Sequence, residues 1–225
     1  MFIHFFCFQF REKRQAIKNQ GNINNSNNDK YDKILNAAIK VFAEQGYYKS
    51  TISQVAKEAG VADGTIYIYF KNKADILFNF FSYKTRMVFD RFKVEVEKAD
   101  NAKDKLRNLI RSHLAEFQQE PNVAVVFQRE ALNARHIDDA LIKDISKMYL
   151  DILDEIIRQG QREGCIRKNF QKGLVKRFIL GAVNEVINTW VATDGKYDLA
   201  LMADPLVDLC LNGIGSDTRE THQPE

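Results

Sequence analysis

An all-α fold is predicted, and three observations predict it. The 225 residues hold only three prolines and eleven glycines, so helix breakers are scarce. Apolar residues recur at the i, i+3, i+4, i+7 spacing of one helix face through most of the chain. Thr51 and Asp63 stand where such stretches begin, and Gly46, Gly60 and Gly164 where they stop. A chain of this length buries a substantial core and has room for two domains.

Residues 1–28 are expected to be a disordered extension. The apolar run Met1–Phe10 is too short to span a bilayer and lacks the basic n-region and small-residue cleavage site of a signal peptide. Asn19–Asn28 is too polar to pack a core. An over-long start-site assignment and a membrane-surface anchor are the other readings of this segment. Arg11, Lys13, Arg14 and Lys18 against Glu12 leave it a surplus of three positive charges, either a phosphate-contacting arm or an inert solvated tail.

About nine helices are expected after this extension. Asp29–Gly46 is the first, with Ile34, Leu35, Ala38, Val41 and Phe42 inward. Thr51 caps a short helix carrying Ile52, Val55, Ala56 and Ala59 at helical spacing. Gly60 ends it, because glycine takes the left-handed C-cap conformation cheaply. Val61 plugs the angle, and Asp63-Gly64-Thr65 restarts the chain into Thr65–Phe70. Ala74–Ala99 is one long helix, with Ile76, Leu77, Phe80, Phe81, Met87, Val88 and Phe92 at core spacing. Ala102–Gln119 comes next, and Pro121 opens a helix through about Ala134. Asp138–Gly164 carries an apolar stripe from Leu141 to Ile156. Phe170–Thr193 and Leu199–Ile214 close the fold around the turn Asp194-Gly195-Lys196, and residues 216–225 are expected to be a flexible tail.

Two short helices joined by a glycine-containing turn form a helix-turn-helix, whose second helix fits a DNA major groove. A helical hairpin inside a bundle core has the same outline. Against that reading, Thr65, Tyr67 and Tyr69 crowd the second helix with hydroxyls suited to phosphate oxygens. Lys71 and Lys73 stand at the next helix start, where backbone N–H groups also favour anions. The formal charge of +3 is too small to mark a nucleic-acid binder by itself, so the charge has to be local. Cys7, Cys165 and Cys210 are odd in number and widely spaced, with neither a metal-ligand spacing nor a secreted disulfide framework. Reduced thiols, a cytoplasmic location and no metal or cofactor are expected.

The run Gly60-Val61 together with Gly64–Leu77, and Ile34–Tyr47 before it, resembles the signature of TetR-type transcriptional regulators. The resemblance covers Lys30 to about Phe81. It implies a helix-turn-helix DNA-binding domain, here residues 29–75, ahead of a larger effector-binding and dimerisation domain, residues 76–215. It also implies a near-palindromic double-stranded operator, and repression in place of catalysis. On physical grounds Lys73 and the hydroxyls of Thr51, Tyr67 and Tyr69 are candidate phosphate anchors, and Thr65 suits a phosphate or a thymine methyl. The resemblance adds Ser53, Gln54 and Gly64 on the turn and recognition helix. The second helix has no Arg or Asn, so part of the specificity falls to Gln54, the N-terminal arm and DNA shape.

One such unit reads few base pairs, and a homodimer on a near-palindrome is the usual remedy. Phe170–Ile214 is more apolar than one helix pair needs for its own core. The resemblance pairs the last two helices with their mates in a four-helix bundle, which assigns dimerisation to Phe178, Val183, Ile187, Trp190, Leu206 and Leu209. Completion of the monomer core is the alternative.

The large domain is similar to that of the FadR-type repressors of fatty-acid degradation in Gram-positive bacteria. Tyr149–Asp154, Gln128 with Glu130, and Thr189-Trp190-Val191 with Lys196–Leu199 carry the likeness. It implies long-chain acyl-CoA as a lipid effector that releases the protein from DNA. Such a ligand needs an apolar tunnel and cations for its phosphates. Leu114, Phe117, Phe127 and Ile152 are candidates for the tunnel, although the same stripe also reads as plain core. Arg86, Arg91, Arg107, Arg111 and Arg129 supply cations, and Gln128, Asn184 and Asn188 supply polar groups among apolar neighbours. One rival reading is a multidrug-responsive repressor of an efflux pump, which the cation supply disfavours. The other is a helical acyl-CoA enzyme, whose acid–base candidates His4, His113, His136 and His222 sit in no recognisable catalytic motif.

Overall fold

The computed structural model describes residues 24–131 and 139–213. Among them are nine α-helices and no strand. They are α1 (Asn24–Gln45), α2 (Ile52–Ala59), α3 (Asp63–Tyr69), α4 (Lys73–Glu97), α5 (Ala102–Gln119), α6 (Pro121–Val126), α7 (Asp139–Glu163), α8 (Lys172–Ala192) and α9 (Ala203–Asn212). A π-helical turn, Phe127–Ala131, comes after α6, and a 3-10 turn, Leu199–Met202, precedes α9. The chain divides into two compact units between Phe80 and Phe81, so α4 contributes residues to both.

In the first unit, the inner faces of α1 to α3 and the start of α4 share one core. Ile34, Leu35, Ala38, Val41 and Phe42 of α1, Val55, Ala56 and Ala59 of α2, Ile66 of α3, and Ile76 and Leu77 of α4 are all buried, with α1 packed on α2 and α2 on α3. The Tyr31 ring stacks on Phe70 at 4.9 Å, and its hydroxyl donates to Asn79 Oδ1 at 3.2 Å, tying α1 to α4. The structure starts α1 at Asn24, ahead of the expected Asp29, which corrects the extension's boundary. Once an amphipathic helix is nucleated, adding polar residues costs little because each brings its own backbone hydrogen bond. Residues 1–23, 132–138 and the tail from residue 214 lie outside the described residues.

In the second unit, α5 is the central element and packs against α6, α7, α8, α9 and the 3-10 turn. Leu106, Leu109, Ile110 and Leu114 recur at the spacing that puts them on one side of the helix, and all are fully buried. Asn101 caps it by accepting from Asp104 N–H at 2.9 Å. Glu163, at the end of α7, accepts from Ala102 N–H at 2.9 Å. Two stretches differ from the sequence expectation. The helix begun at Pro121 gives way at Phe127 to the π turn, whose wider winding shifts the register of the chain beyond it. The last stretch opens as a 3-10 turn capped by Asp198, and α9 begins only at Ala203.

Candidate functional site

The α2–α3 pair is a helix-turn-helix built from local rules. Thr51 Oγ1 accepts from Gln54 N–H at 3.2 Å while Gln54 Oε1 accepts from Thr51 N–H at 2.8 Å, a complete capping box. Gly60 holds φ 64°, its N–H bonds to the Lys57 carbonyl, and Val61 N–H donates to the Ala56 carbonyl at 3.0 Å. That double closure turns the chain sharply into α3. The Ser53 hydroxyl donates to Asp63, locking α2 to the first residue of α3. On α3, Ile66 is buried, whereas Tyr67 and Ile68 are exposed and Thr65 and Tyr69 half-buried. Tyr69 meets the Tyr31 ring edge-on at 6.3 Å. A Cβ on Gly64 would meet nothing within 4 Å, so packing within the protein does not demand glycine there.

Lys73 makes contacts within the protein that its sequence context did not foretell. Its ammonium donates to the carbonyls of Tyr47, Tyr48 (3.3 Å) and Ser50 (2.9 Å) and lies 4.4 Å from the centre of the Tyr47 ring. It is therefore an intramolecular tie between the α4 start and the turn after α1, where sequence reasoning placed a phosphate anchor. That reasoning missed it because a lysine's partners there are backbone carbonyls, which leave no mark in composition. Asn72 accepts from Asp75 N–H, and Asp75 accepts from Lys71 N–H, each at 2.8 Å, capping α4 with the chain's own groups.

In the second unit, Leu114, Phe117 and Ile152 are buried core, and Phe127 packs its ring on Phe81 and Phe117 at 5.8 and 5.6 Å. Gln128 is only 7% exposed, and neither of its amide atoms finds a partner among the described residues. A surface groove of about 470 Å³ lies between α4 and α5, lined by Arg91, Phe92, Val94, Glu116 and their neighbours. The cations expected for phosphates mostly hold carboxylates. Arg91 pairs with Glu116, and Arg107 and Arg111 each bind Asp204 at 2.9 Å, joining α5 to α9. Arg86 and Arg129 are exposed. Asn184 is half-buried and Asn188 is exposed on α8. Among the described residues no cluster of His, Cys, Asp and Glu has the makings of a metal site, and no helix is long and apolar enough to cross a membrane.

Residues 34–79 match the family described as bacterial regulatory proteins, tetR family, and residues 81–213 match the YsiA-like protein C-terminal region. The chain belongs to the TetR family of bacterial transcriptional regulators. The fatty acid metabolism regulator protein of Bacillus subtilis is 39% identical over 82% of this chain and 95% of its own length. The crystal structure of Bacillus subtilis FadR in complex with stearoyl-CoA superposes with a TM-score of 0.75, covering 82% of this chain and all of that one (100%). FadR from Bacillus halodurans is 35% identical, with a TM-score of 0.74 over 82% of this chain and 100% of its own. These relatives are regulators and not enzymes, and the first unit is a TetR DNA-binding domain.

Viewed as a TetR-family protein, the chain separates two apolar faces in its last helices. Val183, Ile187, Trp190 and Leu206 are buried within the protomer, so four of the residues expected at a dimer surface belong to the monomer core. Trp190 Nε1 even donates to the Tyr197 carbonyl at 2.8 Å. Phe178 (56%) and Leu209 remain exposed, together with Leu174 (62%) and Leu201 (71%), which sequence reasoning missed. A Cβ on Gly181, also exposed on α8, would meet nothing within 4 Å. Leu174, Phe178 and Gly181 lie at i, i+4 and i+7, a second stripe separable from the inner one at Ile179, Val183 and Ile187.

Proposed function

We propose that the protein is a homodimeric repressor of fatty-acid degradation genes, released from a near-palindromic operator by long-chain acyl-CoA. The observation that carries this is the 39% identity, over 82% of the chain, to a regulator whose structure holds stearoyl-CoA. In this reading α3 enters the major groove. The hydroxyls of Thr51, Thr65, Tyr67 and Tyr69 meet phosphates, and Gly64 lets the backbone approach the DNA. Ser53 and Gln54 hold the turn in place through Asp63 and the capping box. Two protomers pair through Leu174, Phe178, Leu201 and Leu209, whose exposure on a lone protomer supports an interface. The dimer then presents two recognition helices to half-sites one helical turn apart. It works in the cytoplasm, with its DNA.

The effector sits among the apolar residues of the second unit, with its phosphates near Arg86, Arg91, Arg107, Arg111 and Arg129. The ion pairs that now hold three of these are surface pairs, each worth about 0–1 kcal/mol, and a polyphosphate competes with them readily. Release requires the ligand to prefer the conformation that DNA does not, since equal affinity shifts nothing. The long α4, with residues in both units, is the element whose tilt spreads the recognition helices. Fluorescence anisotropy on DNA upstream of the protein's own gene tests the reading. Stearoyl-CoA is expected to release the protein, whereas free CoA and stearate are not. Tight DNA binding indifferent to stearoyl-CoA refutes the effector.

A further inference from the structure

Six side-chain polar atoms are shut off from solvent without a hydrogen-bond partner among the described residues, and all belong to the second unit. They are Ser82 Oγ, His113 Nδ1, Glu116 Oε1, both amide atoms of Gln128, and Tyr149 Oη. Glu116 Oε1 has compensation, since Lys84 Nζ lies 3.7 Å away. His113 and Tyr149 have none and lie together, with ring centroids 5.0 Å apart. Apolar rings pack around them, Phe92 at 5.6 Å and Phe117 at 5.3 Å from His113 and Phe89 at 6.2 Å from Tyr149, and the Cys210 thiol lies near enough to Tyr149 to help raise its pKa. Tyr149 is only 3% exposed, and although His113 is half-buried as a residue, its Nδ1 is sealed.

Phenylalanine at both positions would fill the same space without stranding two polar groups, so plain packing does not account for this pair. Burial lowers the His113 pKa to about 4, which keeps the ring neutral, and burial raises that of Tyr149, which keeps its proton. The pair therefore offers a neutral ligand group two uncharged donors, the phenol O–H and Nδ1–H of the matching imidazole tautomer. Phe92 also lines the α4–α5 groove that holds Arg91. The pair thus lies one aromatic ring beneath a surface groove with a cation in its wall.

We propose that Tyr149 and His113 bind the thioester carbonyl of the effector, both donating to its oxygen. The aliphatic chain then lies deeper in the core and the phosphorylated end toward the groove. This rests on the acyl-CoA reading above and adds a reason for selectivity. A thioester carbonyl enters an uncharged buried site without bringing charge, whereas the carboxylate of a free fatty acid would have to be desolvated there unpaired.

The test compares stearoyl-CoA with S-octadecyl-CoA, a thioether of the same length without the carbonyl, by calorimetry on the full chain. The wild type is expected to bind the thioester about tenfold more tightly. Tyr149→Phe and His113→Phe, each checked for an unchanged far-UV spectrum, are expected to cut that preference to about twofold. Equal wild-type affinity for the two ligands overturns the carbonyl site while leaving the acyl-CoA reading intact. A full preference surviving in both variants also overturns it, by placing carbonyl recognition elsewhere. Binding of neither ligand defeats the acyl-CoA reading and this inference together.

Discussion

Gly64 separates the demands of folding from those of DNA recognition. It sits within α3, where glycine is about 0.5–1 kcal/mol worse than alanine, and no neighbour crowds its Cβ position. Gly64→Ala is therefore expected to leave the thermal midpoint unchanged or slightly raised while weakening operator binding, measured by melting and anisotropy on one preparation. Undiminished DNA affinity would remove Gly64 from the interface. His113 makes a prediction in acid. Its pKa in the fold lies near 4, against 6.5 when exposed, so the unfolded chain binds more protons between those values. Stability is then expected to fall as pH drops from 6.5 toward 4, with no further histidine effect below. His113→Phe should flatten the melting profile over that window. Asp154, lowered by the Lys176 hydrogen bond, and Glu163, lowered by the Ala102 N–H, lose their contributions only at more acid pH. Thr51 and Gly60 were legible in the sequence because their capping roles are local. The pairing of His113 with Tyr149 was not, since 36 positions separate them and only the packing of α5 against α7 joins them.

At the scale of elements, the junction between the turn after α1 and the start of α4 depends on Lys73. Lys73→Met removes donors from three carbonyls and should cost about 1–3 kcal/mol of stability. If the lysine is a tie, the salt dependence of operator binding stays the same. A phosphate contact would instead lower the slope of log K against log salt by about one. The end helices make a paired prediction. Phe178→Glu on the outer face of α8 is expected to yield folded monomers by sedimentation, whereas Val183→Glu on the inner face unfolds the second unit. Folded dimers from Phe178→Glu would move the interface elsewhere. The helices themselves were legible from periodicity, Ala102–Gln119 to the residue. Which of two stripes on α8 faces the core was not, because Phe178 and Ile179 are adjacent and equally apolar. The π turn left no signal either, since Phe127–Ala131 contains ordinary helix formers.

At the scale of the whole molecule, the first unit carries the recognition helix, and the second holds the stranded polar atoms and the Arg91 groove. Control of DNA binding by a lipid requires coupling between them. The TetR signature made the first unit legible because its capping and turn residues lie within one stretch of chain. A ligand for the second unit could be proposed only through resemblance, because an aromatic core and a lipid pocket use the same residues. Coupling has a signature that no single-site measurement supplies. The factor by which one ligand weakens the other must be the same in both directions. The decisive measurement is therefore a two-way titration: operator affinity with and without saturating stearoyl-CoA, then stearoyl-CoA affinity with and without saturating operator. A lipid-released repressor gives one matching factor, in the range of about 5- to 150-fold. Both affinities measurable and neither changed by the other ligand would contradict it.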